Sequence, residues 1–578
     1  VARPSGAEVP VETGTTTAGG FVSTAHRTLQ SDLRGLVEAG RRRLETAPAT
    51  RWLIGGDDQA TGHSLLQGLL GSLLIMVGSW GVGWMATTPS SWFARTTVLN
   101  PVRVEPVGVI LCAMLLVIGC LVLVRAWLRL GQRLEGRWAE GRGTVVQATW
   151  LWTAPLLFTF PIFSRDVYSY LAQGRLLHAG LNPYEEGVSA LPGWFMHGAD
   201  SIWAESPSPY GPLFLMMAQF VWFVTAGSPE PAVILFRAIA VAGMALCLWA
   251  VPRLAQRFGS DPGWAVWICV ANPLFALYMV AGVHNDSLML GLLLCGFVLL
   301  RSTADPVRNG MGLVLVALSV AIKPLTVLAL PFAGLLMHTG GARPGLPDGL
   351  PRPVPGLADR FRSWVLTGAV ALVVLAVVGM VSGLWFGWIP AMATSGDAAF
   401  PYAPFGLLGL GVGWLVDMIF HTGVRPPASV FYSLGTVTAL VLTAWLALTR
   451  RPINPVLATG LALLAAVLLA PIIQPWYLLW VLPMFAVVRR WTGWPVWCLH
   501  LLVMLLVVIG VVDQLSVAQW IPLLWVRIIT AVAGALYLVY IVALDPKTSA
   551  LFPFAGWAAL RRSARAPSPA TTTEPQEH

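Results

Sequence analysis

The chain has 578 residues, of which 56% are hydrophobic and only 11% charged, with a formal net charge of +9. So apolar a chain, with a mean hydropathy of +0.71, is excluded from the soluble globular class. The basic excess is what the cytoplasmic side of a membrane protein collects, so no nucleic-acid partner is expected.

Residues 1–62 are polar and carry Arg3, Arg27, Arg34, Arg41, Arg42, Arg43 and Arg51. This composition predicts a cytoplasmic segment with no signal peptide, in which Ser23–Arg43 has the spacing of a surface helix. Apolar segments follow near 64–85, 106–128, 144–164, 213–227, 232–251, 264–282, 287–300 and 311–338. Further ones lie near 364–386, 405–420, 429–449, 455–473, 477–488, 494–512 and 519–543. They predict an all-α polytopic membrane protein with roughly 13–15 transmembrane segments, some of them half-helices. The six cysteines all lie inside apolar segments without CxxC spacing, and read as buried small apolar residues. With Arg253 inside, residues 213–227 and 232–251 cannot both cross, 311–338 is expected as a hairpin or a broken helix around Pro324, and 405–420 reads as interfacial.

Arginine clusters set the orientation. The loop with Arg125, Arg129, Arg133, Arg137 and Arg142 is inside, so segment 144–164 emerges outside and delivers Asp166 to the outer face. Arg253/Arg257, Arg301/Arg308, the Arg343–Arg362 loop, Arg450/Arg451, Arg489/Arg490 and the Arg561–Arg565 tail are further inside markers, and Arg237 reads as a structural residue near the inner face. Both termini are therefore expected in the cytoplasm and the loop 165–212 outside. His284-Asn285-Asp286, Lys323-Pro324 and Gln474-Pro-Trp-Tyr477 fall between inside markers, level with Asp166.

Asp166 carries the expected chemistry. An acid at a membrane edge is costly unless used, although Ser164 and Asp166 also fit an ordinary helix cap. Inverting glycosyl transfer needs one carboxylate to take the proton of the attacking hydroxyl. A phosphate leaving group needs cations and hydrogen-bond donors rather than a catalytic acid. Candidates for substrate contact are Arg165, Tyr168, Tyr170, Gln173, Tyr184, Tyr210, His284, Asn285, Asp286, Lys323, Gln474, Trp476, Tyr477 and Arg527. Against these stand turn chemistry at Leu181-Asn-Pro-Tyr184 and Pro207-Ser-Pro-Tyr-Gly-Pro212, a helix cap at His284–Asp286 and an interfacial aromatic belt at Trp476-Tyr477. Lys323 has no acid within a helical turn, so a lipid phosphate is its expected partner. No nucleotide motif is present, and no metal or other cofactor is expected. A transporter or flippase of lipid-linked sugars explains the embedded cations equally, but the chain has no evident internal repeat.

Phe163-Ser-Arg-Asp-Val-Tyr-Ser-Tyr-Leu-Ala-Gln-Gly174, Gly180-Leu-Asn-Pro-Tyr184, Pro209-Tyr-Gly-Pro212, Asn272-Pro273, Gly282-Val-His-Asn-Asp286, Ile322-Lys-Pro324 and Pro475-Trp-Tyr477 form an ordered set. Through them the chain resembles the actinobacterial α-(1→6)-mannopyranosyltransferases of the MptA/MptB family, within the GT-C class, with Asp286 and Gln474 leaning to the MptB branch. The resemblance implies a polyprenyl-phosphate mannose donor, a lipid-linked mannan acceptor and inversion at the external face of the plasma membrane. It also implies a place in lipomannan and lipoarabinomannan backbone synthesis, with Asp166 as the base. A GT-C enzyme for another sugar stays open, as does the oligomeric state. The expected organisation is a cytoplasmic segment (1–62), two additional transmembrane helices (63–143), a catalytic membrane core (144–490), C-terminal transmembrane helices (491–548) and a cytoplasmic, partly disordered tail (549–578).

Overall fold

The computed structural model describes residues 60–301, 305–338, 355–394, 403–515 and 523–552, with a few isolated positions before them. The expected surface helix at Ser23–Arg43 falls almost wholly outside the described residues, as does the tail after Arg565. Among the described residues the fold is helical throughout, with no strand. Residues 58–538 form one compact unit, and residues 1–57 with 539–578 form a second. In the second, a turn of π-helix, Tyr540–Leu544, is closed by Asp545, whose carboxylate accepts from the backbone of Lys547 and Thr548.

Six described helices are long and apolar enough to cross a membrane: Gly62–Val82, Pro106–Leu134, Pro229–Phe258, Leu357–Ser382, Arg425–Leu448 and Trp494–Gln514. A bent pair, Phe275–Ala281 with Asp286–Leu299, adds a seventh if it counts as one span. Other apolar segments are short helices. Pro212–Thr225, for example, has 14 residues, about 21 Å of helix against a hydrocarbon core of about 30 Å. It precedes the 30-residue helix Pro229–Phe258, so only one of these two neighbours has the length to cross. The outward faces of the long helices are apolar. Leu357–Ser382 buries Thr367, Ala371, Leu375 and Gly379 at four-residue spacing and exposes Leu366, Leu372, Val373, Val377 and Val381. Such a face is stable against lipid and not against water.

Small residues and reciprocal hydrogen bonds bring the helices together. A side chain on Gly71 would come within 2.9 Å of the Gly119 carbonyl, so Gly62–Val82 and Pro106–Leu134 touch backbone to backbone there. Trp127 and Trp267 stack with centroids 4.8 Å apart, and each indole N–H donates to the other's carbonyl.

Two interruptions position the site. The helix Pro262–Cys269 ends before Asn272-Pro273, where Asn272 Oδ1 accepts from the Leu274 N–H. The chain resumes as a wide π-helical turn, Phe275–Ala281, and swings by 111° into Asp286–Leu299. Wide turns of this kind collect at functional sites. The helix Pro306–Ile322 stops because Pro324 disfavours a helical Lys323, which is extended at φ −139° and ψ 107°. A 3₁₀ turn, Pro324–Ala329, then leads into Leu330–Leu336. Leu336 returns to accept from Arg257, beside which Arg308 of the first helix also lies, so of the hairpin or broken helix expected around Pro324 the chain forms the hairpin.

Candidate active site

Asp166 opens the helix Asp166–His178, in the connection between the helices Trp138–Leu156 and Pro212–Thr225. Its backbone N–H donates to Ser164 Oγ. Two strained residues bracket the chemistry. Phe163 has φ 66° and Val283 has φ 60°, the left-handed region that a β-branched residue rarely enters. Such strain persists only where its surroundings hold it. Phe163 donates its N–H to Gln514 Oε1 at 2.6 Å, and its ring leans on Tyr278 at 5.3 Å.

The strain at Val283 turns His284 towards Asp166. His284 Nε2 lies 3.6 Å from Asp166 Oδ2, with the imidazole fully buried and about 19% of the aspartate side chain exposed. His284 Nδ1 lies 2.6 Å from the Tyr278 carbonyl. A carbonyl only accepts, so Nδ1 carries a hydrogen and Nε2 is the atom left to the carboxylate. Trp476 covers the ring with centroids 4.1 Å apart. Burial pushes the Asp166 carboxyl above its ordinary range, and Asp286 adds to this, while His284, the Ser164 hydroxyl and Lys323 pull it back.

The second half of the site is an ion pair. Lys323 Nζ lies 2.6 Å from Asp286 Oδ1, and the same oxygen accepts the Trp480 indole N–H at 2.8 Å. Asp286 is fully buried, whereas 14% of Lys323 is exposed. The ammonium sits 4.6 Å from the Trp480 ring centroid, 5.6 Å from that of Tyr210 and 5.9 Å from that of Tyr477. Lys323 thus has a carboxylate partner inside the protein as well. The acid comes from another helix, and helical spacing around Lys323 cannot reveal it.

Several polar atoms here are buried without a partner: both amide atoms of Asn285, Asp286 Oδ2 and the Trp476 indole N–H. Gln474, half-buried, precedes the turn Pro475–Tyr477 that carries Trp476. The remaining candidates hold the loop. Arg165 donates to the Gly198 carbonyl and lies over Trp84 at 4.9 Å, while Tyr168 donates to the Trp84 carbonyl. Gln173 Oε1 accepts from Ser208, and Tyr184 donates to the Tyr210 carbonyl. Tyr170 packs edge-on against Tyr210 and Phe214 at 5.2 and 4.8 Å. The side chain of Arg527 lies outside the described residues. Arg237 is buried, donating to the carbonyls of Leu157, Val280 and Ala281, so it lies at the His284 end of its helix and not at the opposite one. Trp480 joins the site without being among the candidates read from the sequence. Its signal is the spacing from Trp476 and Tyr477, one turn back on the same helical face.

Among the described residues no cluster of three or more His, Cys, Asp or Glu could hold a metal ion. The arrangement offers one semi-exposed carboxylate backed by an imidazole, and beside it an ammonium framed by aromatic rings. It can take a proton from a hydroxyl and hold an anionic leaving group.

Residues 65–339 match the family described as alpha-(1->6)-mannopyranosyltransferase, N-terminal domain, and residues 404–544 match the MptB C-terminal domain. A probable alpha-(1->6)-mannopyranosyltransferase of Mycolicibacterium smegmatis is 32% identical over 74% of this chain and 79% of its own length. An alpha-(1->6)-mannopyranosyltransferase of Mycobacterium tuberculosis is 32% identical over 75% of this chain and 82% of its own. Alpha-(1->6)-mannopyranosyltransferase B of Corynebacterium glutamicum is 28% identical over 72% and 71%. No solved structure is significantly similar. The chain, itself a multi-pass membrane protein, therefore belongs to the alpha-(1->6)-mannopyranosyltransferase family.

Proposed function

We propose that the protein transfers mannose from a polyprenyl-phosphate mannose donor to a lipid-linked mannan acceptor, forming an α-(1→6) linkage with inversion. It acts in building the lipomannan and lipoarabinomannan backbone. The active site faces the exterior of the plasma membrane, and both termini face the cytoplasm. The observation that carries this reading is Asp166 facing His284 at 3.6 Å beside the Lys323–Asp286 pair. One carboxylate and one cation are what inverting transfer from a sugar phosphate requires.

The acceptor 6-hydroxyl attacks the anomeric carbon as the bond from that carbon to the phosphate oxygen breaks. The bonding pair leaves on the phosphate, and the hydroxyl proton passes to Asp166. Attack opposite the leaving group converts a β-linked donor to an α-linked product. The Asp166 carboxyl, raised by burial, is a stronger base than an exposed aspartate. Lys323 meets the developing phosphate charge with its remaining N–H bonds, while Asp286 and Trp480 fix its position. The unpartnered amide of Asn285 and the Trp476 N–H supply contacts to sugar hydroxyls. Family membership supports the sugar, and the loop arginines support the orientation.

Purified protein is offered polyprenyl-phosphate mannose, polyprenyl-phosphate arabinose and a nucleotide mannose, with a short α-(1→6)-mannoside as acceptor. The proposal expects a new α-(1→6) bond from the first donor alone. Transfer from the nucleotide sugar instead, or movement of the lipid-linked sugar with no new glycosidic bond, contradicts it.

A further inference from the structure

At the end of the helix Pro229–Phe258 remote from the site lies a cavity of about 270 Å³. Four arginines line it, Arg253, Arg257, Arg301 and Arg308, together with Trp249, Leu254, Gln256, Val298 and Leu299, and no carboxylate is among these residues. The two ends of this helix are far apart. Arg237 bonds the carbonyls of Val280 and Ala281, just before His284. At 1.5 Å per residue the helix puts about 30 Å, one hydrocarbon thickness, between Arg237 and Arg257. The cavity therefore lies towards the end of the helices opposite Asp166.

No carboxylate lines the cavity beside Arg253, Arg301 and Arg308. Arg257 is spent on the backbone carbonyls of Phe297 and Leu300, at 3.0 and 2.7 Å. Arg253 lies over the Trp249 ring at 4.4 Å and bonds that residue's carbonyl. Arg308 Nε is buried without a hydrogen-bond partner. Arg301 and Arg308 are close enough to Arg257 for their charges to repel it. Gathering like charges around a recess costs free energy that an anion would offset. The half-exposed Trp249 and the partly exposed Leu299 give one wall an apolar character suited to lipid carbons.

We propose that this arginine-lined cavity binds the phosphate of an anionic membrane lipid in the leaflet opposite the active site. The cytoplasmic leaflet carries anionic lipids, and basic pockets between helices on that side bind their headgroups. Arginine forms bidentate hydrogen bonds with phosphate oxygens. The cavity is slightly smaller than the roughly 300–1,000 Å³ of drug-sized ligand pockets, a size that admits a phosphate and its glycerol but not an acyl chain. The chains would run along the apolar wall. The helices Asp286–Leu299 and Pro306–Ile322 join the two sites, with Asp286 and Lys323 at one end and Leu299 and Arg308 at the other.

The test is thermal unfolding of the detergent-purified full chain with added dioleoyl-phosphatidylglycerol, dioleoyl-phosphatidylcholine or inorganic phosphate. This readout is independent of mannosyl transfer, so it separates failure here from failure of the proposed activity. Phosphatidylglycerol is expected to raise the Tm by about 2 °C or more, and the R253Q/R301Q double variant to lose at least half of that shift. An equal shift with phosphatidylcholine, or an undiminished shift in the variant, overturns the proposal. A full shift with inorganic phosphate alone assigns the cavity to a soluble anion and overturns the lipid reading. Arg253 and Arg301 are exposed. Should the double variant not fold, the single charge reversal R301E is judged by the same criteria.

Discussion

His284 Nε2 stands 3.6 Å from Asp166 Oδ2 while its Nδ1 is fixed on the Tyr278 carbonyl, so the imidazole can present only one atom to the carboxylate. The two residues come from separate interruptions in the helical fold. Each follows a residue in the left-handed region, Phe163 in one case and Val283 in the other. The backbone therefore aims both groups before any substrate arrives.

Asp166 sets the pH dependence. A base works only when deprotonated, and burial raises this carboxyl above its ordinary range against the opposing pull of His284. Activity should fall on acidification at a higher pH than an unperturbed aspartate, of pKa about 3.9, would give. The acid limb of a kcat/KM profile measures this. A limb at the unperturbed value contradicts the buried-base assignment.

The Lys323–Asp286 pair predicts a split between stability and activity. Lys323→Met leaves the fully buried Asp286 with only the Trp480 N–H. An uncompensated buried charge costs about 3–5 kcal/mol. Adding Asp286→Asn should recover most of that loss without recovering transfer, because the ammonium is still missing. Thermal unfolding alongside mannosyl transfer distinguishes the two effects. A double variant with the parental rate removes Lys323 from the chemistry.

Gly282 predicts an effect through positioning. A methyl group there would meet the Tyr278 carbonyl at 2.6 Å and His284 Nδ1 at 3.1 Å. Gly282→Ala should therefore displace the imidazole and lower kcat by about 10²-fold, the scale of a misplaced catalytic group. The measurement is kcat beside the membrane-inserted protein level. A parental kcat shows that the His284 placement tolerates the shift.

The sequence exposes a site where its residues interrupt apolar runs. Asp166, His284, Asp286, Lys323 and Trp476 all sit at breaks in apolar segments, and the fold brings them together. The Lys323–Asp286 contact was not legible, because it joins two helices whose relative placement no local pattern encodes. Arg165, Tyr168 and Tyr184 have the chemistry of ligand contacts and also donate to backbone carbonyls that shape the loop. Sequence alone does not separate these uses, since a tyrosine hydroxyl donates equally well to a sugar or to the chain. The number of true crossings was blurred for a related reason. Hydropathy detects apolar runs but not the helix length left after prolines such as Pro273 and Pro324 cut them.

The most direct test of the account is Asp166→Asn, which keeps the shape and removes the base. Mannosyl transfer from the polyprenyl-phosphate donor is measured in membranes containing matched amounts of inserted protein. The account predicts a fall of at least about 10²-fold, the lower bound for a general base. Transfer at a near-parental rate would contradict Asp166 as the group that takes the acceptor's proton.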